Sequence, residues 1–97
     1  LYGLNPADYV GIALYYPATN MDAEELLIVQ LKDVSQQETV KAAIESRLET
    51  QKNSFEGDGM EQVALLEKSV VDVEGNYILF VVNEQAAKAQ SAFLQAL

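Results

Sequence analysis

The residues able to do chemistry in this chain are nearly all carboxylates. Fifteen Asp and Glu stand against six Lys and Arg in 97 residues, with no His and no Cys. That removes an imidazole base near neutral pH, a thiolate nucleophile, His or Cys zinc ligands and any disulfide. Two carboxylates become acid and base when their surroundings push their pKa values apart. Several hard oxygens together hold Ca²⁺. Two clusters qualify by spacing: Asp22, Glu24 and Glu25, and Glu56, Asp58 and Glu61 around Gly57 and Gly59. Both fall in expected loops, where water screens charge, and the second lacks the alternating ligands of a calcium loop. Ser46, Ser54, Ser69 and Ser91 have no visible base partner, and no Gly-rich phosphate motif is present. The five Tyr do not alternate with basic residues as a base-stacking platform would. The expectation is no catalytic residue, no metal ligand, no cofactor and no enzyme.

The net charge of −9 repels nucleic acid and anionic membrane surfaces and favours solubility or a cationic partner. The length suits a single domain over residues 1–97. No run approaches the roughly 18–20 apolar residues that span a bilayer. The chain opens on Leu1 rather than Met. It is read as a trimmed fragment from which any signal peptide or lipid anchor has been removed.

The elements that would position these groups follow from periodicity. Asn5-Pro6-Ala7-Asp8 reads as a helical turn with Asn5 as cap and Pro6 at the first helical position. Tyr9 to Tyr16 reads as a strand that stops at Pro17, with Tyr9, Ala13 and Tyr15 on one face. Ala18 to Asp22 is a turn. Glu24 to Leu31 is a second strand, apolar on both faces and therefore central. Ser35 and Glu38 have capping-box spacing and open a helix to about Asn53, with Val40, Ile44 and Leu48 as its stripe. A short helix at Met60 to Ala64 follows the glycine break. Val70 to Val73 and Tyr77 to Asn83 are strands joined at Glu74-Gly75-Asn76, a hairpin signal. Asn83 caps a last helix with Ala86, Ala89, Phe93 and Leu97 as its buried stripe.

The order ββαββα predicts an α+β fold: a two-layer sandwich with a four-stranded antiparallel sheet and helices on one face. Strand order 1-2-4-3 is preferred over 2-1-3-4. The two doubly apolar strands belong in the middle, and the third strand, with Asp72 and its charged neighbours Lys68 and Glu74, suits an edge. The other sheet face is then uncovered. Tyr9, Ala13, Tyr15 and Tyr77 are its candidate interface residues, because a soluble monomer rarely exposes a large apolar patch and Tyr is favoured at interfaces.

Several segments together resemble a known family. Glu25-Leu26-Leu27-Ile28-Val29 opens a strand, Arg47, Gln51 and Phe55 stand at R-x-x-x-Q-x-x-x-F spacing, and Gly75-Asn76-Tyr77 precedes a hydrophobic strand. This is similar to the bacterial lipoprotein-like family catalogued as domain of unknown function 4358. Gly57-Asp58-Gly59 departs from the aromatic residue and proline that the family often carries after the Phe. The resemblance implies location rather than activity: an extracytoplasmic, cell-envelope domain tethered to the membrane by an N-terminal lipid. Among the matched positions, Arg47 and Gln51 form a candidate polar site one helical turn apart.

The leading expectation is a non-enzymatic extracytoplasmic interaction domain that binds a protein partner or forms a homodimer through the open sheet face. It involves no nucleic acid and meets the membrane only through a lipid anchor. The alternative is a small-ligand or cation-binding domain using the acidic loops. A carboxylate-dependent hydrolase ranks last.

Overall fold

The computed structural model describes residues 2–15, 23–57 and 59–97; the expected turn at Ala18 to Asp22 lies outside them. Pro6–Asp8 forms a 3-10 turn, with Asn5 Oδ1 accepting from the Ala7 N–H at 3.1 Å. Strand β1 (Gly11–Tyr15) and strand β2 (Glu25–Gln30) follow, then helix α1 (Gln37–Phe55) and the short helix α2 (Met60–Glu67). Strand β3 (Val70–Glu74), strand β4 (Tyr77–Val82) and helix α3 (Ala86–Ala96) complete the chain. The strands make one antiparallel sheet in the order β1-β2-β4-β3. The fold is α+β, and the order is the one that two doubly apolar strands demand.

The register sorts the apolar side chains onto two faces. Leu27 lies opposite Phe80, Val29 opposite Ile78, and both pairs join Val40 and Ile44 of α1 and Leu66 of α2 in one core. Ile28 lies opposite Leu79 and Leu26 opposite Val81 on the reverse face. There they meet Ala86, Ala89 and Phe93 of α3. The helices therefore do not share a face. Helices α1 and α2 cover one side and α3 the other, so the molecule has three layers instead of the expected two. The cause is in the strands: β2 and β4 carry large apolar residues on both sides, and one helix layer can dry only one of them.

Cover by α3 is partial. On its face Leu79 and Val81 of β4 are buried, Leu26 and Ile28 of β2 are half-buried, and Ala13 and Tyr15 of β1 are exposed. Asp72, expected only to blunt the edge of β3, accepts a hydrogen bond from Gln90 Nε2 at 2.8 Å and ties α3 to that edge.

Two local readings shift. The capping box sits two residues earlier than expected, at Asp33 and Gln36. Asp33 Oδ1 accepts from the Ser35 N–H at 2.8 Å, and Gln36 Oε1 accepts from the Asp33 N–H at 3.4 Å and from the Lys32 N–H at 2.9 Å, so a 3-10 turn (Val34–Gln36) leads into α1. That contact to Ser35 holds the Asp33 carboxyl below its ordinary pKa. Tyr9 precedes β1 and is 7% exposed in the core beneath α1, so it is not part of the open face. The reason is an extra residue. Gly11 pairs with Gln30, and the Val10 N–H donates to the Gln30 carbonyl at 2.9 Å, so two residues face one. Such a bulge reverses the alternation on which the expected placement rested.

At the β3–β4 hairpin Gly75 has φ +58°, a conformation that costs glycine little. Gly59 answers a different need: a Cβ there would lie 2.8 Å from Phe55 Cδ1, so the chain after α1 can pass over this ring only without a side chain.

If α3 supports the sheet from the reverse face, Phe93→Ala should lower the unfolding free energy in urea by about 3 kcal/mol. A loss near zero would show that α3 does not hold that face.

Candidate functional site

Glu25 opens β2 on the same face as Leu27 and Val29, and is 5% exposed. A carboxylate taken out of water this way requires a cation and further donors. Arg47, the single arginine of the chain, supplies them. It lies one turn beyond Ile44 on the sheet-facing side of α1, next to the Val40, Ile44 and Leu48 stripe. Its Nη2 donates to Glu25 Oε1 at 2.8 Å and its Nε to Oε2 at 3.2 Å, a two-pronged guanidinium–carboxylate pair. Tyr2 Oη donates to the same Oε2. Three distant pieces of chain, the N-terminal segment, β2 and α1, therefore converge on one buried carboxylate.

The electrostatics agree with this geometry. Burial, followed by the hydrogen bond to Glu25, pushes the Tyr2 hydroxyl above its ordinary 10.0, although Arg47 opposes the shift. The hydrogen bond to Glu25 holds the Arg47 pKa above its usual value. With both oxygens of Glu25 engaged by Arg47 and Tyr2, this carboxylate has the surroundings of a structural clamp and not of a proton-transfer group.

The sequence-expected site residues disperse. Gln51 is half-buried and takes no part in the Arg47 cluster. Glu25 leaves the acidic cluster to which its neighbours Asp22 and Glu24 were assigned, and Asp22 and Asp58 lie outside the described residues. Among the described residues no three carboxylates converge as a cation site would require. Ala13 and Tyr15 stay on the open face and Tyr77 is half-buried at its rim, whereas Tyr9 is in the opposite core. Tyr2 and Glu25 were missed as site residues. Strand alternation carried the signal for Glu25, since it falls in step with Leu27, Val29 and Leu31.

Two neighbouring concavities lie on the α3 face, and a more polar one of about 380 Å³ lies beside α2, lined by Glu24, Glu61, Gln62 and Lys68 among others. A groove of about 610 Å³ runs between α3 and the middle of the sheet, walled by Leu26, Ile28, Tyr77, Phe93 and Leu97 with Glu74 at one end. A smaller hollow of about 410 Å³ continues past Tyr15, Glu24 and Lys88. The groove is apolar and open-sided, the shape of a surface for packing and not of a deep acid–base pocket.

Residues 1–83 match the family described as Domain of unknown function (DUF4358). The chain belongs to this family. No curated protein and no solved structure matches the chain. The DUF4358 match stops just after β4, so α3 lies beyond it. Within the match, several of the positions that carried the resemblance, though not Gln51, have structural roles here. Glu25 and Arg47 are the buried pair, Phe55 packs on the core and under Gly59, and Gly75 makes the left-handed turn before Tyr77.

Two outcomes check the clamp. Arg47→Met leaves the buried carboxylate unpaired and should cost about 3–5 kcal/mol in urea unfolding, most of it regained in the double variant Glu25→Leu/Arg47→Met. At alkaline pH the sign follows from Tyr2. Its folded pKa is raised, so its contribution is intact below the ordinary value of 10.0 and is lost as pH rises beyond it. Tyr2→Phe should flatten the fall in stability above that pH. Tyr9, raised by its own burial and by Asp8, sustains a remainder. An unchanged alkaline slope in Tyr2→Phe would contradict the assignment.

Proposed function

We propose that this domain is a non-enzymatic, extracytoplasmic interaction module that buries the open part of its α3 face against a protein, a second copy included. The observation that carries the reading is the apolar groove beside α3 and its continuation onto exposed Ala13 and Tyr15. Contiguous apolar surface of this kind marks contact sites. Tyr15, 75% exposed, offers the large area and polar tip favoured at interfaces. The cell-envelope location and lipid tether rest on the family resemblance alone. A cation-binding role in the acidic loops loses support from Glu25, which faces inward to Arg47.

Nuclear magnetic resonance on the isotope-labelled chain tests the self-associating form. Raising its concentration from micromolar to submillimolar should move the amide signals of Ile28, Phe93 and Leu97 together and leave those on the exposed side of α1 in place. Ile28→Glu should suppress the change. Spectra independent of concentration would remove self-association through this face.

A further inference from the structure

The two edges of the sheet differ. Strand β3 carries Asp72 and Glu74, charges that discourage another strand from pairing there. Strand β1, Gly-Ile-Ala-Leu-Tyr, carries none, in a chain of net charge −9. Four of its five residues are exposed. Among the described residues β1 is paired with β2 alone.

The direction of its free hydrogen-bonding groups follows from the sheet. The Leu31 N–H donates to the Asn76 carbonyl at 2.7 Å, continuing the β2–β4 ladder, so odd-numbered residues of β2 bond toward β4. Backbone groups alternate sides along a strand. Even-numbered residues of β2 therefore bond toward β1, onto Gly11, Ala13 and Tyr15. The N–H and C=O groups of Ile12 and Leu14 point to the free edge.

An identical β1 fits this edge. Antiparallel pairing about a two-fold axis at Ala13 sets Ile12 opposite the Leu14 of the second copy, where each can exchange both hydrogen bonds. It also sets Gly11 opposite Tyr15 and Ala13 opposite Ala13. All three pairings are complementary. Aliphatic meets aliphatic on the α1 side, small meets small on the axis, and the tyrosine ring lies across the glycine, a pairing that protects edge glycines. Gly11 sits at the bulge, its φ is not positive, and a Cβ there would meet no atom of the described residues within 4 Å, so the space beside it is open to a ring from a second copy. No like charges oppose one another along the seam.

We infer that β1 is the seat of a two-fold dimer in which two β1 strands pair antiparallel, centred on Ala13, to join two four-stranded sheets into one. The contact is isologous and closes on itself, and the charged β3 edges end the assembly there. The inference deepens the proposed interaction role by naming a second copy as one partner. The two open half-faces, Ala13, Tyr15, Leu26 and Ile28 from each copy, then become a single trough between the two α3 helices.

The chain has no cysteine, so one can be introduced cleanly. Residues facing each other in a non-hydrogen-bonded pair have Cα atoms about 4.5 Å apart, within disulfide reach. Under mild oxidation Ala13→Cys should give a covalent dimer in near-complete yield, and Val71→Cys on the other edge should remain monomeric. Light scattering of the unmodified chain should approach twice the monomer mass, and Leu14→Pro and Ala13→Lys should return it to one. Proline at position 14 removes a free-edge N–H and spares the ladder to β2. Circular dichroism checks that the variant is folded, and the cysteine pair carries the test if it is not. A chain that stays monomeric throughout, or equal cross-linking at both edges, overturns the dimer. So does association abolished by Ile28→Glu but untouched by Leu14→Pro, which would leave docking through the open face standing.

Discussion

Two neighbouring strands with large apolar side chains on both faces set the terms for everything else in this molecule. Strands β2 and β4 cannot be dried by a single layer. Helices α1 and α2 bury Leu27, Val29, Ile78, Phe80 and Val82, whereas α3 is needed for Leu79 and Val81. With only 11 residues, α3 reaches across β4 and β3, where Gln90 bonds Asp72, and falls short of covering β2 and β1. The apolar groove and the exposed face of β1 at Ala13 and Tyr15 are both consequences of that shortfall. At roughly 25 cal/mol per Å² of apolar surface, an open strip of this kind is a standing drive toward association.

The Glu25–Arg47 pair answers a different problem. A buried ion pair adds little net stability, because desolvating two charges offsets most of their attraction. What it does supply here is a penalty for misplacement. A slip of β2 by one residue would turn Glu25 outward and leave Arg47 without its partner, in addition to exposing Leu27 and Val29. Tyr2 extends the same constraint to the N-terminal segment, which Lys32 also holds by donating from Nζ to the Ala7 carbonyl at 2.8 Å. The positions that link the chain to DUF4358 thus describe a way of building the domain more than a reaction it performs. Any functional variation is better sought on the open face than at these residues.

Much of this was legible before any coordinates. The sheet order could be argued from the two-sided hydrophobicity of Leu26 to Leu31 and Tyr77 to Val82 and from the charges around Val70 to Glu74. The hairpin at Gly75 and the helix stripes followed from turn chemistry and spacing. Tyr9 was misplaced because alternation was extended through a bulge that no residue type announces. The Ser35 cap was displaced because Asp33 and Gln36 offer equivalent side-chain acceptors two residues earlier. Arg47 was recognised as a candidate, but its partner stood 22 residues away at the start of the second strand, where it was grouped with the acidic residues beside it instead of with the apolar face it shares with Leu27 and Val29.

The sequence by itself determined the elements, their order across the sheet and the absence of imidazole and thiol chemistry. These depend on local spacing and on residue inventory. Only the tertiary structure decided which face α3 covers, that Glu25 is buried on Arg47, and which backbone groups of β1 are left free. An amphipathic stripe states that a helix must be buried without naming the surface that buries it, and β2 and β4 presented two nearly equivalent ones. The choice was made by how far each short connection can reach and where Asp72 could meet Gln90, distances that exist only once the chain is folded.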